Sequence, residues 1–223
     1  MWSVTYGLVS MAFKLALRAF LAAGFLLISG MIAAAEPYRI VGFGDSLMAG
    51  YLLNAGEGFT EKLQAALKAR GHDVEVANAG VSGDTTSGGR SRLDWSVPDG
   101  TQLVILELGA NDMLRAVGPD IAEKNLDAML AKLKDRKIPV LLAGMLAAPN
   151  LGAEYKAAFD AIYPRLAEKY NVPLYPFFLD GVAGDPKFIL EDGQHPNAKG
   201  IDVMVERILP VVEKLIAANP DNS

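Results

Sequence analysis

The chain has two histidines, and one of them lies where it can serve as a catalytic base. His195 belongs to the segment Glu191–Asn197, and Asp192 precedes it by three residues. Gly193 lies between them and permits a tight turn, so the Asp192 carboxylate can reach one ring nitrogen of His195. Pro196 restricts the backbone of His195 and keeps it out of the helix that follows. A histidine oriented by a carboxylate is the second half of a Ser-His-Asp relay.

Ser46 is the hydroxyl best placed to be the nucleophile of such a relay. It follows Phe43, the last residue of a predicted strand, by three positions, and Gly44 allows a sharp turn between them. The N–H groups after this turn lie at a helix-like start, where they can bind an anion. A serine at a strand-helix junction more often caps a helix. The pair of Asp192 and His195 favours the nucleophile over the cap.

Two further residues can donate hydrogen bonds to a developing oxyanion. Asn111 follows the most apolar of the predicted strands and offers a side-chain amide. Gly83 lies after an earlier strand and offers a backbone N–H that no Cβ obstructs. Each residue alone is also compatible with an ordinary turn. The chain has no Gly-x-Ser-x-Gly motif, which argues against an α/β-hydrolase.

His72 is predicted to have no catalytic role. It lies in the segment Arg70–Asp73, between a predicted helix and the strand after it. That position is at the opposite end of the predicted sheet from Ser46. We interpret His72 as an exposed turn residue.

Strand-length apolar runs alternate with longer segments of helical periodicity. The predicted strands are Tyr38–Phe43, Val74–Asn78, Leu103–Leu108, Val140–Gly144 and a short strand within Val172–Phe178. The predicted helices are Gly58–Arg70, Ile121–Lys137, Ala153–Tyr170, which Pro164 should kink, and Ala198–Ala218, interrupted near Pro210. This alternation predicts one α/β domain, a parallel sheet with helices on both faces, whose ligands bind beyond the carboxyl ends of the strands.

The first 35 residues have the pattern of a secretory signal peptide. Lys14 and Arg18 precede an apolar stretch, Ala19–Ala35, that ends in small residues. We predict cleavage after Ala35, and hence a periplasmic or secreted protein. The alternative is a membrane anchor that stays in place, for which the stretch is marginally long. Met11 would start a more compact signal than Met1 and is the initiator that we predict.

The charge and composition of the chain after residue 35 limit the classes of partner that it can bind. Without residues 1–35 the chain has 19 Lys and Arg against 26 Asp and Glu, a net charge of −7. This excess of acids argues against nucleic acid and against binding to anionic lipid. We also expect no stable membrane insertion after signal cleavage. The absence of cysteine excludes disulfides and thiolate catalysis.

Four ordered motifs give the chain a family resemblance. They are Gly44–Leu47, Gly83 within Ser82–Thr85, Gly109–Asp112, and Asp192 with His195. In this order they resemble the four blocks of the SGNH or GDSL hydrolases, across residues 38–215. Longer stretches resemble the bacterial arylesterase and thioesterase I/lysophospholipase branch, among them Asn78–Thr86, Arg92–Trp95 and Leu106–Asp112.

The resemblance implies a fold and a mechanism. The fold is a single-domain, three-layer α/β/α sandwich on a five-stranded, flavodoxin-like parallel sheet, the SGNH hydrolase domain of residues 36–223. Ser46 is then the nucleophile, His195 the base and Asp192 its orienting partner. The oxyanion hole comprises the Ser46 N–H, the Gly83 N–H and the Asn111 amide. Neither a metal nor a cofactor is expected.

The substrate is expected to be a small-molecule ester. We predict an apolar lining of the site, suited to an aryl or acyl chain, by Met48, Tyr51, Met113, Leu114, Met145 and Leu146, about half of which are also typical core residues. Small aryl or acyl esters, acyl thioesters and lysophospholipids all fit this prediction. The alternatives are a carbohydrate O-deacetylase and a non-catalytic binding module on the same fold. The absence of an aromatic platform in the loops argues against the deacetylase.

Overall fold

The computed structural model describes residues 36–218 of the chain. The strands are β1 (Tyr38–Gly44), β2 (Val74–Gly80), β3 (Leu103–Glu107), β4 (Val140–Ala143) and β5 (Leu174–Tyr175). All neighbouring pairs are parallel, in the order β2-β1-β3-β4-β5. The predicted five-stranded parallel sheet of flavodoxin-like order is therefore confirmed. The predicted signal peptide lies outside the described residues.

Helices cover both faces of this sheet. They are α1 (Ser46–Ala49), α2 (Phe59–Ala69), α3 (Thr86–Ser96), α4 (Ala110–Leu114), α5 (Pro119–Asp135), α6 (Ala153–Asp160), α7 (Ile162–Tyr170) and α8 (Ala198–Ala218). Helices α2 and α8 pack together, while α5 packs against α3 and α7. Strand β3, at the centre of the sheet, is buried along its whole length. Its side chains are apolar except for the last, because helices shield both of its faces from water.

Two proline positions differ from the prediction. The segment predicted as one helix over 153–170 forms two, and the break falls at Ala161 rather than at Pro164. Pro164 lies in the first turn of α7, where its missing N–H would have no partner within the helix. The predicted interruption near Pro210 is wrong, because α8 continues through this residue. Pro210 is exposed, and the buried residues Ile208, Leu209 and Val212 hold the helix on both sides of it.

The end of β2 passes very close to the helix that begins with Ser46. A Cβ on Gly80 would lie 2.7 Å from the Ala49 Cα, closer than two such atoms can approach. The absence of a side chain at Gly80 thus lets α1 lie directly against β2. This contact fixes where α1 starts relative to the sheet edge.

Candidate active site

The carboxyl edge of the sheet gathers the polar residues that the sequence singles out. Ser46 is the first residue of α1, directly after β1, and Gly83 follows β2 in the turn before α3. Asn111 lies in α4, after β3. His195 comes from the loop that precedes α8. His72 lies at the other end of the sheet, where its ring is 3.3 Å from Glu213.

Ser46, His195 and Asp192 form a hydrogen-bonded chain. The Ser46 hydroxyl lies 2.8 Å from Nε2 of His195, to which it can donate. On the other side of the ring, Nδ1 lies 2.6 Å from Oδ2 of Asp192. The hydroxyl, the imidazole and the carboxylate are therefore placed in the order that a Ser-His-Asp relay requires.

The backbone around His195 holds the carboxylate in its ionised form. Oδ1 of Asp192 accepts the N–H groups of Gln194 at 2.9 Å and His195 at 3.0 Å. Burial alone would raise the pKa of Asp192, but these N–H groups and the ring outweigh it and hold the pKa below its usual range. The loop itself is closed by the N–H of Leu190 on the His195 carbonyl at 2.7 Å. The imidazole thus has an anionic partner fixed to the same turn.

Three hydrogen-bond donors, on Ser46, Gly83 and Asn111, belong to residues that line one cavity together with the Ser46 hydroxyl. The N–H groups of Ser46 and Gly83 make no hydrogen bond within residues 36–218. Gly83 has a φ of +84°, a left-handed conformation that favours glycine. Asn111 donates one amide hydrogen to Oδ2 of Asp45, at 3.1 Å, which leaves the other hydrogen available. The arrangement can stabilise negative charge on an oxygen bound next to Ser46.

A largely apolar cavity of about 860 Å³ opens over these groups. Ser46, Gly83, Asn111 and His195 are on its wall. Of the predicted lining residues, the structure places Tyr51, Met113, Leu114, Met145 and Leu146 on the wall as well. The Tyr51 ring is 4.6 Å from the His195 ring, so this side chain bounds the cavity next to the base.

The predicted role of Met48 in the cavity lining is wrong. Met48 is fully buried, and a Cβ on Gly42 would come within 2.6 Å of its sulfur. Since successive residues of a helix point about 100° apart, α1 turns Met48 inward to the sheet. Its neighbour Leu47 lines the cavity in its place.

A model of the GDSL-like Lipase/Acylhydrolase family matches residues 43–203, which include all the residues placed together above. The chain belongs to this family. Among curated GDSL relatives, an arylesterase of Vibrio mimicus is 40% identical over 177 residues, covering 78% of this chain and 86% of the relative. A protein of Escherichia coli named thioesterase 1/protease 1/lysophospholipase L1 is 35% identical over 192 residues, covering 84% of this chain and 90% of the relative.

A solved structure indicates the same kind of enzyme as these relatives do. The crystal structure of AlinE4, an SGNH-hydrolase family esterase, superposes with a TM-score of 0.70 at 48% identity, covering 82% of this chain and 98% of that one. This chain is accordingly a carboxylic ester hydrolase of the arylesterase and thioesterase I type.

Two buried carboxyl groups under the GDSL motif were not predicted from the sequence. Asp45 accepts the N–H of Leu47 at 3.1 Å in addition to the Asn111 amide, and its backbone N–H lies 3.2 Å from Oε2 of Glu107. Glu107 is fully buried, and its Oε1 has no partner within the described residues. The sequence does contain an indication of Glu107, because it is the one ionisable residue in the otherwise apolar strand β3.

Both of these carboxyl groups have a raised pKa. Burial raises the pKa of Asp45 to about 6, although the bonds from Leu47 and Asn111 and the charge of His195 act in the opposite direction. Burial also raises the pKa of Glu107 well above its ordinary value, and the negative charge of Asp45 adds to this rise. These shifts favour the protonated form of Glu107 beside Asp45, and Asp45 can orient Asn111 through the hydrogen bond between them.

The part of the chain that the structure describes has neither a cluster of metal-binding side chains nor a membrane-spanning helix. Among residues 36–218, no group of three or more His, Cys, Asp or Glu side chains is placed to hold a metal ion. Within the same range, no helix is both long and apolar enough to cross a bilayer.

Proposed function

We propose that Ser46, His195 and Asp192 are the catalytic triad of this esterase. The observation that carries the proposal is the 2.8 Å distance between the Ser46 hydroxyl and Nε2 of His195, with Asp192 on the other ring nitrogen. The Ser46 N–H, the Gly83 N–H and the Asn111 amide are proposed as the oxyanion hole. The two free N–H groups and the free amide hydrogen support this role.

Acyl transfer by this site has two steps. In the first, His195 takes the hydroxyl proton as Ser46 Oγ attacks the carbonyl carbon, and the three donors hold the oxyanion. The bond to the alcohol oxygen then breaks, and the alcohol leaves with the proton from His195. In the second, water attacks the acyl-serine while His195 takes its proton and returns it to Ser46 Oγ, which releases the acid.

We propose small acyl and aryl carboxylic esters as the substrate class. The predominantly apolar wall and the volume of about 860 Å³ suit an acyl or aryl group. A carbohydrate would need polar partners and an aromatic platform, and the wall has few of either. Acyl thioesters and lysophospholipids also present an acyl carbonyl that a serine hydroxyl can attack, so the proposal includes them.

A substrate panel tests both parts of this proposal. p-Nitrophenyl esters of increasing acyl length are compared with acyl-CoA, a lysophospholipid and acetylated xylan, with Ser46→Ala as the blank. We expect turnover of aryl esters that depends on Ser46, and covalent labelling of Ser46 by a fluorophosphonate. Acetate release from xylan without aryl-ester turnover would contradict the substrate class. Activity or labelling that persists in Ser46→Ala would contradict the nucleophile.

A further inference from the structure

Arg92 connects two of the turns that surround the proposed nucleophile. It lies in α3 and is only 5% exposed. Its Nη2 donates to the carbonyl of Gly44 at 2.8 Å, and its Nε donates to Oδ2 of Asp84 at 2.6 Å. Nη1 donates to the carbonyl of Ala79, also at 2.8 Å. One guanidinium thus binds the end of β1, the end of β2 and the turn before α3.

The Gly44 carbonyl belongs to the Gly44–Asp45 peptide, one peptide before the one that carries the Ser46 N–H. This carbonyl also accepts the N–H of Val81 at 3.0 Å. The N–H of the same peptide, on Asp45, lies 3.2 Å from Glu107. The peptide plane is therefore held at both ends. The Ser46 N–H belongs to the following peptide, and the φ of −101° and ψ of −141° at Asp45 set its direction relative to this held plane.

The second contact of Arg92 reaches the residue after Gly83. Asp84 pairs with Arg92 at a site where the two side chains are 18% and 7% exposed. The N–H of Asp84 also donates to the Val81 carbonyl at 3.1 Å, which closes the turn around Gly83. Arg92 is thus bonded two residues before Ser46 and one residue after Gly83, the two backbone donors of the proposed oxyanion hole. The third donor, Asn111, is held independently by Asp45.

The guanidinium is itself fixed in place. Its central carbon lies 4.1 Å above the ring of Phe43, a buried residue of β1. A planar guanidinium presents its donors in fixed directions, which the single ammonium of lysine cannot reproduce. Arg92 is not among the residues that line the cavity, so any effect on catalysis must act through the turns that it binds.

We propose that Arg92 is a positioning residue that sets the separation of the Ser46 and Gly83 N–H groups for the oxyanion. The proposal rests on the site assignment made above. Preorganised donors stabilise the transition state because they need no rearrangement as charge develops. A shift of either turn by about 1 Å weakens that stabilisation by up to about 100-fold without removing a donor.

The test variant is Arg92→Lys, which retains the charge beside Asp84. The measurements are kcat and KM for a p-nitrophenyl ester, the inhibition constant of a trifluoromethyl ketone, and the thermal midpoint. The ketone adds to Ser46 and then carries an oxyanion. We expect kcat to fall about 10- to 100-fold, KM to stay within about twofold, and affinity for the ketone to fall by a factor similar to kcat.

Arg136→Lys is the matched control for this variant. Arg136 also donates to a backbone carbonyl, that of Val97 at 2.7 Å, at the far end of α3. It contacts none of the residues assigned to the site, so kcat and ketone affinity should match the parent. If Arg92→Lys does not fold, Asp84→Asn tests the same connection. It weakens one contact of Arg92, and we expect a smaller fall in kcat, again with KM unchanged.

The remaining outcomes overturn the proposal. A folded Arg92→Lys with the parent's kcat and ketone affinity would show that Arg92 does not position the donors. A fall in kcat with an equal rise in KM and no change in ketone affinity would show a structural role only. Both outcomes leave the site assignment intact when Ser46→Ala abolishes the parent's activity. Activity that does not depend on Ser46 overturns the assignment and this proposal together.

Discussion

At the scale of single residues, the proposed oxyanion hole depends on a carboxylate that never touches the substrate. Asp45 is fully buried, and its two oxygens accept from Leu47 and Asn111. One amide hydrogen of Asn111 is therefore committed to Asp45. The direction of the other hydrogen is fixed by this bond, because the amide group is planar.

Replacing Asn111 by alanine tests this arrangement directly. We expect kcat for an aryl ester to fall about 100- to 1000-fold, as for the loss of one oxyanion donor. KM should change little, because the donor acts on charge that develops in the transition state. The thermal midpoint serves as the control for folding. Near-full activity of Asn111→Ala would show that the oxyanion is bound elsewhere.

Glu107 should make the stability of the enzyme depend on pH. Burial raises its pKa well above the ordinary value of 4.5, so the folded protein holds a proton that the unfolded chain releases. Stability from this group is present below pH 4.5 and is lost as the pH rises towards the folded-state pKa. Asp45 acts with the same sign between its ordinary value of 3.8 and about 6.

Glu107→Gln removes the ionisable carboxyl group but keeps the shape of the side chain. We expect the free energy of unfolding of the parent to fall more steeply with rising pH than that of the variant. The difference in slope is at most about 1.4 kcal/mol per pH unit, the value for one proton. Urea unfolding at several pH values measures it, over a range of about 5 to 8, which lies above the ordinary pKa of 4.5. Parallel stability curves would show that Glu107 is ionised in the folded protein.

At the scale of elements, the contact between β2 and α1 links the sheet to the nucleophile. Gly80→Ala would place a methyl group 2.7 Å from the Ala49 Cα and 2.8 Å from the Met48 carbonyl carbon. Both are backbone atoms of α1, so the helix must move. We expect a loss of about 1–3 kcal/mol in unfolding free energy, together with reduced kcat. Ala77→Ser, at an exposed position of the same strand, is the control and should change neither quantity. Unchanged kcat in Gly80→Ala would indicate that α1 adjusts without moving Ser46.

The sequence predicted the elements that have a periodic apolar pattern. All five strands and the helices α2, α5 and α8 were found, because burial imposes that pattern on them. Helix α3 was missed, since its sequence, TSGGRSRLDWS, has no apolar stripe. It is held instead by the Thr85 cap, by the contacts of Arg92, and by Gly89, which allows the close approach of Leu108.

The candidate site was accessible to prediction residue by residue, but its supporting contacts were not. Ser46, His195 and Asp192 are brought together as expected, because strand order places their loops at one edge. Met48 was misplaced, since the sequence does not show which side of the one-turn helix α1 faces the sheet. The contacts of Arg92 and Asp45 join segments distant in sequence, and only the folded structure reveals them.

At the scale of the whole molecule, most of the exposed large apolar side chains within residues 36–218 lie at the cavity or beside it, Trp95 and Ile121 being the exceptions. Leu52, Val81, Leu114 and Leu146 are all exposed, and each lines the cavity or adjoins a residue that does. The chain without residues 1–35 has a net charge of −7. This net negative charge disfavours the long-range approach of anionic esters.

Export of the whole chain is the remaining prediction, and it rests on the pattern of residues 1–35. We propose that a signal peptidase removes them, so the periplasmic or secreted enzyme begins at Glu36. The intact mass of the protein from the periplasm or medium of a Gram-negative host measures the start. A full-length chain in the membrane fraction would show instead that the apolar stretch remains as an anchor. Met11→Leu should abolish export if translation starts there. Export that tolerates this change but requires Met1 would place the start at Met1.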